Sequence, residues 1–360
     1  LRYVHQLPLP DLIEFAATKM PPSLPLPSAY IDTLNDDYKT IAIRASILVF
    51  IASSGRMVPR QYQLESTNAT AHGLDCMVDS GTGSGKTLCQ IILNLLFPDT
   101  TSMTISPLKR LQTLQAAEFE QWGIRTMCIN EDTPNDVRLW DQIQDGYYQH
   151  LIVQPEQLKT FQGHLPRLAR LLKKPKFTKT IARVHVDEAH NHYLAGIPRH
   201  GLPPFRPAWG ALDELRLRLP KATPFQALSG TLPPHIKTAV LRHLNFDPKS
   251  SVSLKLSANR PNIVYATHRI VGSLRDFRKL DFLVSNPYTF IVKSLIFHND
   301  TQECAEAALY TDKLLPPHLR NTGIVRHYHG GMSKDYLTKS VLILSPRGTV
   351  QRVLESLNSC

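Results

Sequence analysis

The segment Ser80-Gly81-Thr82-Gly83-Ser84-Gly85-Lys86-Thr87 constrains this chain more than any other. Its glycines interrupt what surrounds them: a strand-forming run from Asp75 to Asp79 comes before, and a helix-forming run from Lys86 to Leu96 comes after. A strand, a glycine-rich turn and a helix in that order point successive backbone N–H groups at one spot beside a helix N-terminus. That arrangement cradles phosphate oxygens. Lys86 is then placed to meet the β- and γ-phosphates of a nucleotide, and Thr87 to ligate magnesium. Ser80 stands where such loops usually begin with glycine or alanine.

Further along, the apolar run Val184-His185-Val186 ends in Asp187-Glu188-Ala189-His190. Two adjacent acids at the carboxyl end of a buried strand lie where ligands bind in parallel sheets. They can divide the labour, Asp187 holding Mg2+ and Glu188 orienting the water that attacks a phosphate. An Asp-Glu pair alone could equally cap a helix. With the glycine-rich loop upstream, it indicates a nucleotide hydrolase using ATP and Mg2+.

From Arg56 onward, short apolar runs alternate with amphipathic ones. Strands are expected at Asp75 to Asp79, Met103 to Ser106, Thr126 to Ile129, Leu151 to Gln154, Ala182 to Val186 and Phe225 to Leu228. Helices are expected at Lys86 to Leu96, Leu108 to Gln121, Trp209 to Leu219 and His235 to Leu244. The alternation predicts an α/β fold of the P-loop class, a parallel sheet with helices on both faces. A shorter series follows Arg260-Pro261: strand Ile263 to Thr267, helix Leu274 to Leu283, strand Ser294 to Phe297, helix Gln302 to Leu314 and strand Ile324 to His327. It predicts a partial second lobe of the same kind. The expected division is an extension at 1–55, a nucleotide-binding domain at 56–256 and the second lobe at 257–360. Within the extension, Leu1 to Tyr30 is proline-rich and reads as an extended arm or linker, with a buried helix in the apolar run that follows.

The net charge of +11 favours a polyanionic partner, because lysine and arginine release counterions from phosphate backbones. The five cysteines are scattered and form no CxxC pair, which argues against a disulfide framework or a cysteine zinc site. The apolar run Ile41 to Ala52 is broken by Arg44 and is too short to span a bilayer. No secretory leader opens the chain. Together these features predict a protein of the nucleus or another intracellular compartment, not secreted and without a membrane partner.

At this point the chain resembles the superfamily-two helicases, and among them the RecQ-like DNA helicases, from about Met57 to Lys339. The loop and the DEAH-type box carry the resemblance first. Arg60 and Gln63, within Pro59-Arg60-Gln61-Tyr62-Gln63-Leu64-Glu65, are similar to the family's adenine-reading motif. The pairs Ser106-Pro107 and Pro155-Glu156 resemble motifs at strand ends. Phe205-Arg206-Pro207 and Trp209 resemble the end of the aromatic-rich loop, implying base stacking and phosphate contact. Ser229-Gly230-Thr231 matches the motif linking the ATP site to the DNA track, with two hydroxyls able to bond back to His190 and glycine in place of alanine. Asn191 to Pro204 replaces the family's compact sequence. Arg260-Pro261-Asn262, Leu295-Ile296-Phe297-His298 and Tyr328-His329-Gly330-Gly331 are similar to landmarks of the second lobe.

The resemblance implies ATP-dependent 3′–5′ unwinding of single-stranded or partly duplex DNA, with RNA as the other polyanion of the same class. The arginine that such a second lobe contributes to the transferring phosphate has no counterpart in sequence context. Arg347 and Arg352 follow Lys339 without the family's last motifs, and the tail to Cys360 reads as truncated or aberrant. The alternative is a module that binds ATP and nucleic acid with little or no helicase activity. The histidines His185, His190 and His192, and His327 with His329, lack zinc-type spacing and read as motif or core residues.

Overall fold

The structure is a computed structural model that describes residues 1–160, 163–259, 263–264, 266–267, 269, 272–273, 275–284, 294–329, 331–333 and 335–337, and the backbone alone of 352–356. It forms two compact units, Leu1–Arg260 and Pro261–Cys360.

The N-terminal residues are helical, which corrects the expectation of an extended arm. Helices α1 (Arg2–Gln6), α2 (Leu9–Lys19) and α3 (Ser28–Ile31) lead into α4 (Asp36–Ala52). Pro8 and Pro10 sit at the start of α2, where a missing N–H costs nothing. Val4, Leu7, Leu12, Met20 and Ile31 are buried against Ile43, Ile47 and Leu48 of α4. Arg44, the residue that breaks the apolar run, donates from Nη2 to the Leu7 carbonyl at 2.7 Å and from Nε to the Val4 carbonyl at 3.3 Å. Its cation thereby satisfies the end of α1, where the helix dipole is negative. Proline density misled the reading because helix-starting and helix-linking prolines look alike in composition.

The chain continues through α5 (Gln61–Ala71), β1 (Cys76–Asp79), α6 (Lys86–Leu96), β2 (Thr101–Ile105), α7 (Lys109–Gln121), β3 (Thr126–Ile129), α8 (Val137–Gln144) and β4 (His150–Val153). Then come α9 (Arg167–Leu171), α10 (Pro175–Thr178), β5 (Ile181–Val186), α11 (Asn191–Ala195), α12 (Leu212–Arg218), β6 (Phe225–Ser229), α13 (Pro234–His243) and β7 (Val252–Lys255). The seven strands form one sheet in the order β3-β4-β2-β5-β6-β1-β7, every neighbour parallel. Strand β7 was not expected; it is short and alternates half-buried with exposed residues.

Side chains alternate between the two faces of the sheet. Met77, Met103, Ile105, Val153, Val184 and Val186 form one core with Trp140 of α8, Leu168 of α9, Leu215 of α12 and Val240 of α13. The opposite face, under α5 and α6, is unusually polar. Ser102 Oγ donates to Asn94 Oδ1 at 2.8 Å and lies 2.6 Å from His150 Nδ1, and Thr104 Oγ1 donates to Gln90 Oε1 at 2.7 Å. His185 Nδ1 is 2.9 Å from Gln226 Oε1, and Gln226 Nε2 donates to Ser66 Oγ at 2.7 Å. Burial holds both histidines well below their usual pKa, His185 at about 3, so these rings are neutral core members.

The second unit holds β8 (Ser294–His298), α14 (Thr301–Leu314), β9 (His327–Tyr328) and β10 (Arg352–Ser356), with strand order β8-β10-β9, all parallel. Asp300 caps α14 by accepting from the Gln302 and Glu303 amides at 2.8 and 2.9 Å. Leu280, Cys304, Ala307 and Ala308 form its core. The expected strand Ile324 to His327 is confined to His327–Tyr328, and the expected helix Leu274 to Leu283 is a 3-10 segment over Phe277–Leu283. Of the expected strand Ile263 to Thr267, the described residues are not strand. Arg260-Pro261-Asn262, Gly330, Lys339 and Arg347 lie outside the described residues.

Among the described residues, no helix is long and apolar enough to cross a membrane.

Candidate active site

Register decides what meets at the carboxyl edge of the sheet. Asp79 of β1 is level with Ser229 of β6, and Val186 of β5 is level with both Ala227 of β6 and Ile105 of β2. Four segments therefore leave the sheet side by side: the glycine-rich loop after β1, Ser229-Gly230-Thr231 at the end of β6, the acidic box after β5 and Ser106-Pro107 after β2.

The loop turns into α6 through Gly83 and Gly85, at φ +81° and +90°, a region that favours glycine. Gly85 caps the helix, so Lys86 and Thr87 are its first two residues. Lys86 Nζ donates to the carbonyls of Ser80 at 2.8 Å and Gly81 at 3.3 Å, which holds the ammonium over the loop. Ser80 fits in place of glycine: its Oγ lies 2.9 Å from Ser84 Oγ, and its amide donates to the Ser229 carbonyl at 3.0 Å. Thr82 and Gly83 form the exposed crest of the loop.

Three side chains of the upstream motif brace that loop from behind. Arg60 Nη1 donates to the Ser84 carbonyl at 3.0 Å, and Tyr62 OH donates to the same oxygen at 2.9 Å. Gln63 is buried, donates from Nε2 to the Gly85 carbonyl at 2.8 Å and accepts from the Arg60 amide at 2.7 Å. Its amide thus both donates and accepts, with backbone partners on either side. Tyr62 was not singled out from sequence, because a tyrosine between two glutamines has no signature of its own.

Asp187 is almost wholly buried. Its Oδ2 accepts from Gln115 Nε2 at 2.6 Å and its Oδ1 accepts from the Glu188 amide at 3.0 Å. Burial, reinforced by the neighbouring Glu188 charge, pushes its carboxyl up to about 6. Gln115 had no sequence signal; only the packing of α7 brings it there. Glu188 holds φ +48°, a strained value for a non-glycine residue that recurs at functional sites. Burial raises its carboxyl as well, while Lys86 and a hydrogen bond from the Gly230 amide lower it. His190 Nδ1 lies 2.8 Å from Ser229 Oγ and 3.3 Å from Glu188 Oε2, and burial keeps the ring below its usual range. Thr231 contributes its backbone rather than its hydroxyl: its amide donates to Ser229 Oγ at 3.2 Å and its carbonyl accepts from that oxygen at 3.4 Å. One hydroxyl, not two, reaches His190.

Gly230 has a visible place. A Cβ there would lie 3.4 Å from Thr82 Oγ1 and 3.5 Å from Lys86 Nζ, so this residue rests directly on the phosphate loop and an alanine would make ordinary contact.

The remaining predicted residues fall differently. Ser106 and Pro107 are buried, which removes their side chains from any surface track. Trp209 is fully buried in the core rather than presented for stacking. Arg206 is turned inward, with Nη2 2.9 Å from both Glu156 oxygens and Nη1 2.6 Å from the Pro107 carbonyl, so its charge is spent on protein. Phe205 is 76% exposed and can stack. The replaced stretch before it forms α11 and a two-residue hairpin. Arg199 and Leu202 exchange backbone bonds of 3.1 and 2.9 Å across His200 and Gly201, at φ +51° and +75°.

A magnesium ion and a nucleotide fit this set. The Asp187 carboxyl is desolvated beside a second acid and held above the usual carboxylate range, the state a nearby cation relieves. Asp187 and Thr87 offer the hard oxygen donors magnesium takes, with other positions left to phosphates and water. Among the described residues, no cluster of three or more His, Cys, Asp or Glu could hold a metal by itself.

The sequence profile of the DEAD/DEAH box helicases matches residues 60–239, half of the chain and every segment just described. The chain belongs to the DEAD/DEAH box helicase family. It is 26% identical over 284 residues to the ATP-dependent DNA helicase hus2/rqh1 of Schizosaccharomyces pombe, covering 76% of this chain and 20% of that protein. It is 26% identical over 282 residues to a putative ATP-dependent RNA helicase R290 of Acanthamoeba polyphaga mimivirus, covering 78% and 46%. It is 28% identical over 276 residues to the ATP-dependent DNA helicase RecQ of Haemophilus influenzae, covering 76% and 39%. This helicase-family chain thus spans less than half the length of these curated relatives. Its fold is shared with the DUF1998 helicase MrfA bound to DNA, at TM-score 0.60 and 15% identity over 86% of this chain and 41% of that one. The RecQ-like resemblance seen in the motifs recurs among these relatives.

Proposed function

We propose that this chain is the ATP-hydrolysing part of a RecQ-like DNA helicase, working 3′ to 5′ on single-stranded or partly duplex DNA. The observation that carries this reading is the unbroken set of contacts from Lys86 through Ser80 and Ser229 to His190 and Glu188. Lys86 and the loop amides bind the phosphates. Thr87 and Asp187 would hold Mg2+, which supplies charge neutralisation on them. Glu188, fixed by its turn, orients and polarises the attacking water. His190, bonded to Ser229, ties that event to the segment that follows β6. Phe205 stacks on a base of the bound strand, and the net charge of +11 supplies its electrostatic attraction. A nuclear location agrees with a DNA substrate.

Turnover by the purified chain, with and without single-stranded DNA or RNA, tests the reading. DNA-stimulated hydrolysis that Lys86→Ala and Glu188→Gln each reduce by about 10²-fold or more supports it. Hydrolysis stimulated by RNA and not by DNA overturns the substrate. A second reading, a module that binds ATP and nucleic acid with little unwinding, is favoured by one observation: Arg206 and Trp209, expected at the nucleic-acid surface, face inward. Binding of both ligands without stimulated turnover selects it.

A further inference from the structure

His192 and His243 stack face to face, ring centroids 3.6 Å apart and planes 9° from parallel. Neither belongs to a motif that the resemblance identifies, and the chemistry of the site uses neither. Their positions give the contact its interest. His192 lies in α11, which starts at the residue after His190 of the acidic box. His243 ends α13, the helix that follows Ser229-Gly230-Thr231.

A third segment meets the same pair. His192 Nδ1 lies 3.3 Å from the carbonyl of Trp209, which belongs to the stretch carrying Phe205 and Arg206. Asp213 of α12, four residues further on, places Oδ1 3.9 Å from His243 Nε2, beyond hydrogen-bond reach. The same stretch is pressed onto the end of α11: a Cβ on Gly210 would collide with the Gly196 carbonyl oxygen. The box and the first turn of α11 are therefore joined to the β6–α13 segment at two points, His190 to Ser229 at the start of that segment and His192 to His243 at its end. The loop that exposes Phe205 is bonded to α11 itself, the Arg206 amide donating to the Ala195 carbonyl at 2.8 Å.

We propose that the His192–His243 stack is the joint that makes α11, with the Phe205 stretch bonded to it, move as one body with the β6–α13 segment, so that both histidines are positioning residues for coupling nucleic-acid binding to nucleotide binding. Two flat rings in contact resist tilt and slide in a way that an aliphatic contact of equal volume does not. A displacement of the Phe205–Trp209 stretch reaches α11 directly, and the stack passes it on to α13, whose segment begins at Ser229 to Thr231 beside the nucleotide loop. This inference rests on the reading of the chain as a protein that binds ATP and DNA.

The test is an equilibrium one, so it does not depend on turnover. The affinity of the full chain for a labelled single-stranded DNA is measured without and with a saturating non-hydrolysable ATP analogue, and the ratio of the two constants is the coupling factor. For the wild type a factor of roughly 5 to 150 is expected. His243→Leu, which keeps apolar volume but not a flat ring, is expected to bring it to about 1 while nucleotide affinity without DNA stays unchanged. His243→Phe, which restores a flat ring, is expected to keep most of the wild-type factor. A wild-type factor retained in His243→Leu, or lost equally in both variants, overturns the joint. A wild-type factor of about 1 with both ligands bound overturns it too, leaving ATP and DNA binding intact. A wild type that binds neither ligand defeats the underlying reading, and the joint with it.

Discussion

Arg206 presents its guanidinium to both carboxylate oxygens of Glu156, with Nη2 2.9 Å from each and Nε 3.0 Å from Oε1, while Nη1 reaches the Pro107 carbonyl at 2.6 Å. One side chain thus ties together the segments that follow β2, β4 and the acidic box. Both partners are largely shielded, at 21% and 16% exposure, and the paired bonds use the fork geometry that lysine lacks. Truncating one partner strands the other charge, so Arg206→Ala and Glu156→Ala are each expected to lower unfolding free energy by about 1–3 kcal/mol. Arg206→Lys should rescue little. The double variant should lose less than the two single losses combined. Urea midpoints of the wild type and the four variants check this, and simple additivity would falsify the pairing.

Asp187 predicts a trade between stability and function. Its carboxyl is raised from 3.8 to about 6, so the folded state holds this proton more tightly than the unfolded state does. Its contribution to stability is greatest below pH 3.8, declines as pH rises to about 6, and is a constant penalty above that. Without magnesium or nucleotide, Asp187→Asn removes the penalty and is expected to stabilise the chain by about 1–3 kcal/mol at pH 8. The gain should shrink towards pH 4, and magnesium-dependent turnover should be lost at every pH. An Asn variant no more stable than wild type at pH 8 counts against a desolvated carboxylate.

Much of this site was legible because its chemistry imposes local sequence. The loop from Ser80 to Thr87 needs glycines at fixed offsets before a helix, and Lys86 to Leu96 is helical as expected. The acidic box needs a strand before it, and β5 ends at Val186. What stayed hidden depends on partners distant in sequence. Gln115 reaches Asp187 only because α7 packs on the sheet over β3 and β4, and nothing near residue 115 signals it. Arg206 looked like a phosphate contact because its neighbours are aromatic, yet Glu156 claims it. Trp209 looked like a stacking face, but a large ring beside a glycine serves equally well in a core. At the N-terminus, proline frequency concealed helices whose evidence is the burial of Val4, Leu7 and Leu12.

The contact between Gly196 and Gly210 admits no side chain. A Cβ on Gly210 would collide with the Gly196 carbonyl oxygen, and one on Gly196 would lie 2.6 Å from the Gly210 amide nitrogen, both backbone atoms that cannot swing aside. Gly210→Ala is expected to cost about 1–3 kcal/mol by overpacking and to weaken DNA affinity by displacing Phe205. Calorimetry and fluorescence anisotropy check the two halves. Unchanged melting and affinity together would show that the loop base yields freely.

The buried histidines set the response of the whole fold to acid. His192 is held at about 4 and His185 at about 3, chiefly by burial, and His150 lies well below its usual value for the same reason. For each, the folded value is depressed below 6.5, so the unfolded chain takes up a proton first and stability falls as pH drops from about 6.5 towards 4. Asp187 works in the opposite sense below about 6, because there the folded state binds the extra proton. His185 and His192 against Asp187 leave an excess of about one proton on the unfolded chain near pH 5, which corresponds to a loss of about 1.4 kcal/mol per pH unit from these three groups. Urea unfolding at pH 7, 6 and 5 should show the midpoint falling steeply over the last interval. His185→Gln, which cannot titrate, should reduce the slope by about one proton. A midpoint independent of pH over this range would mean that the polar face under α5 and α6 is solvated, and that its histidines are not neutral core members.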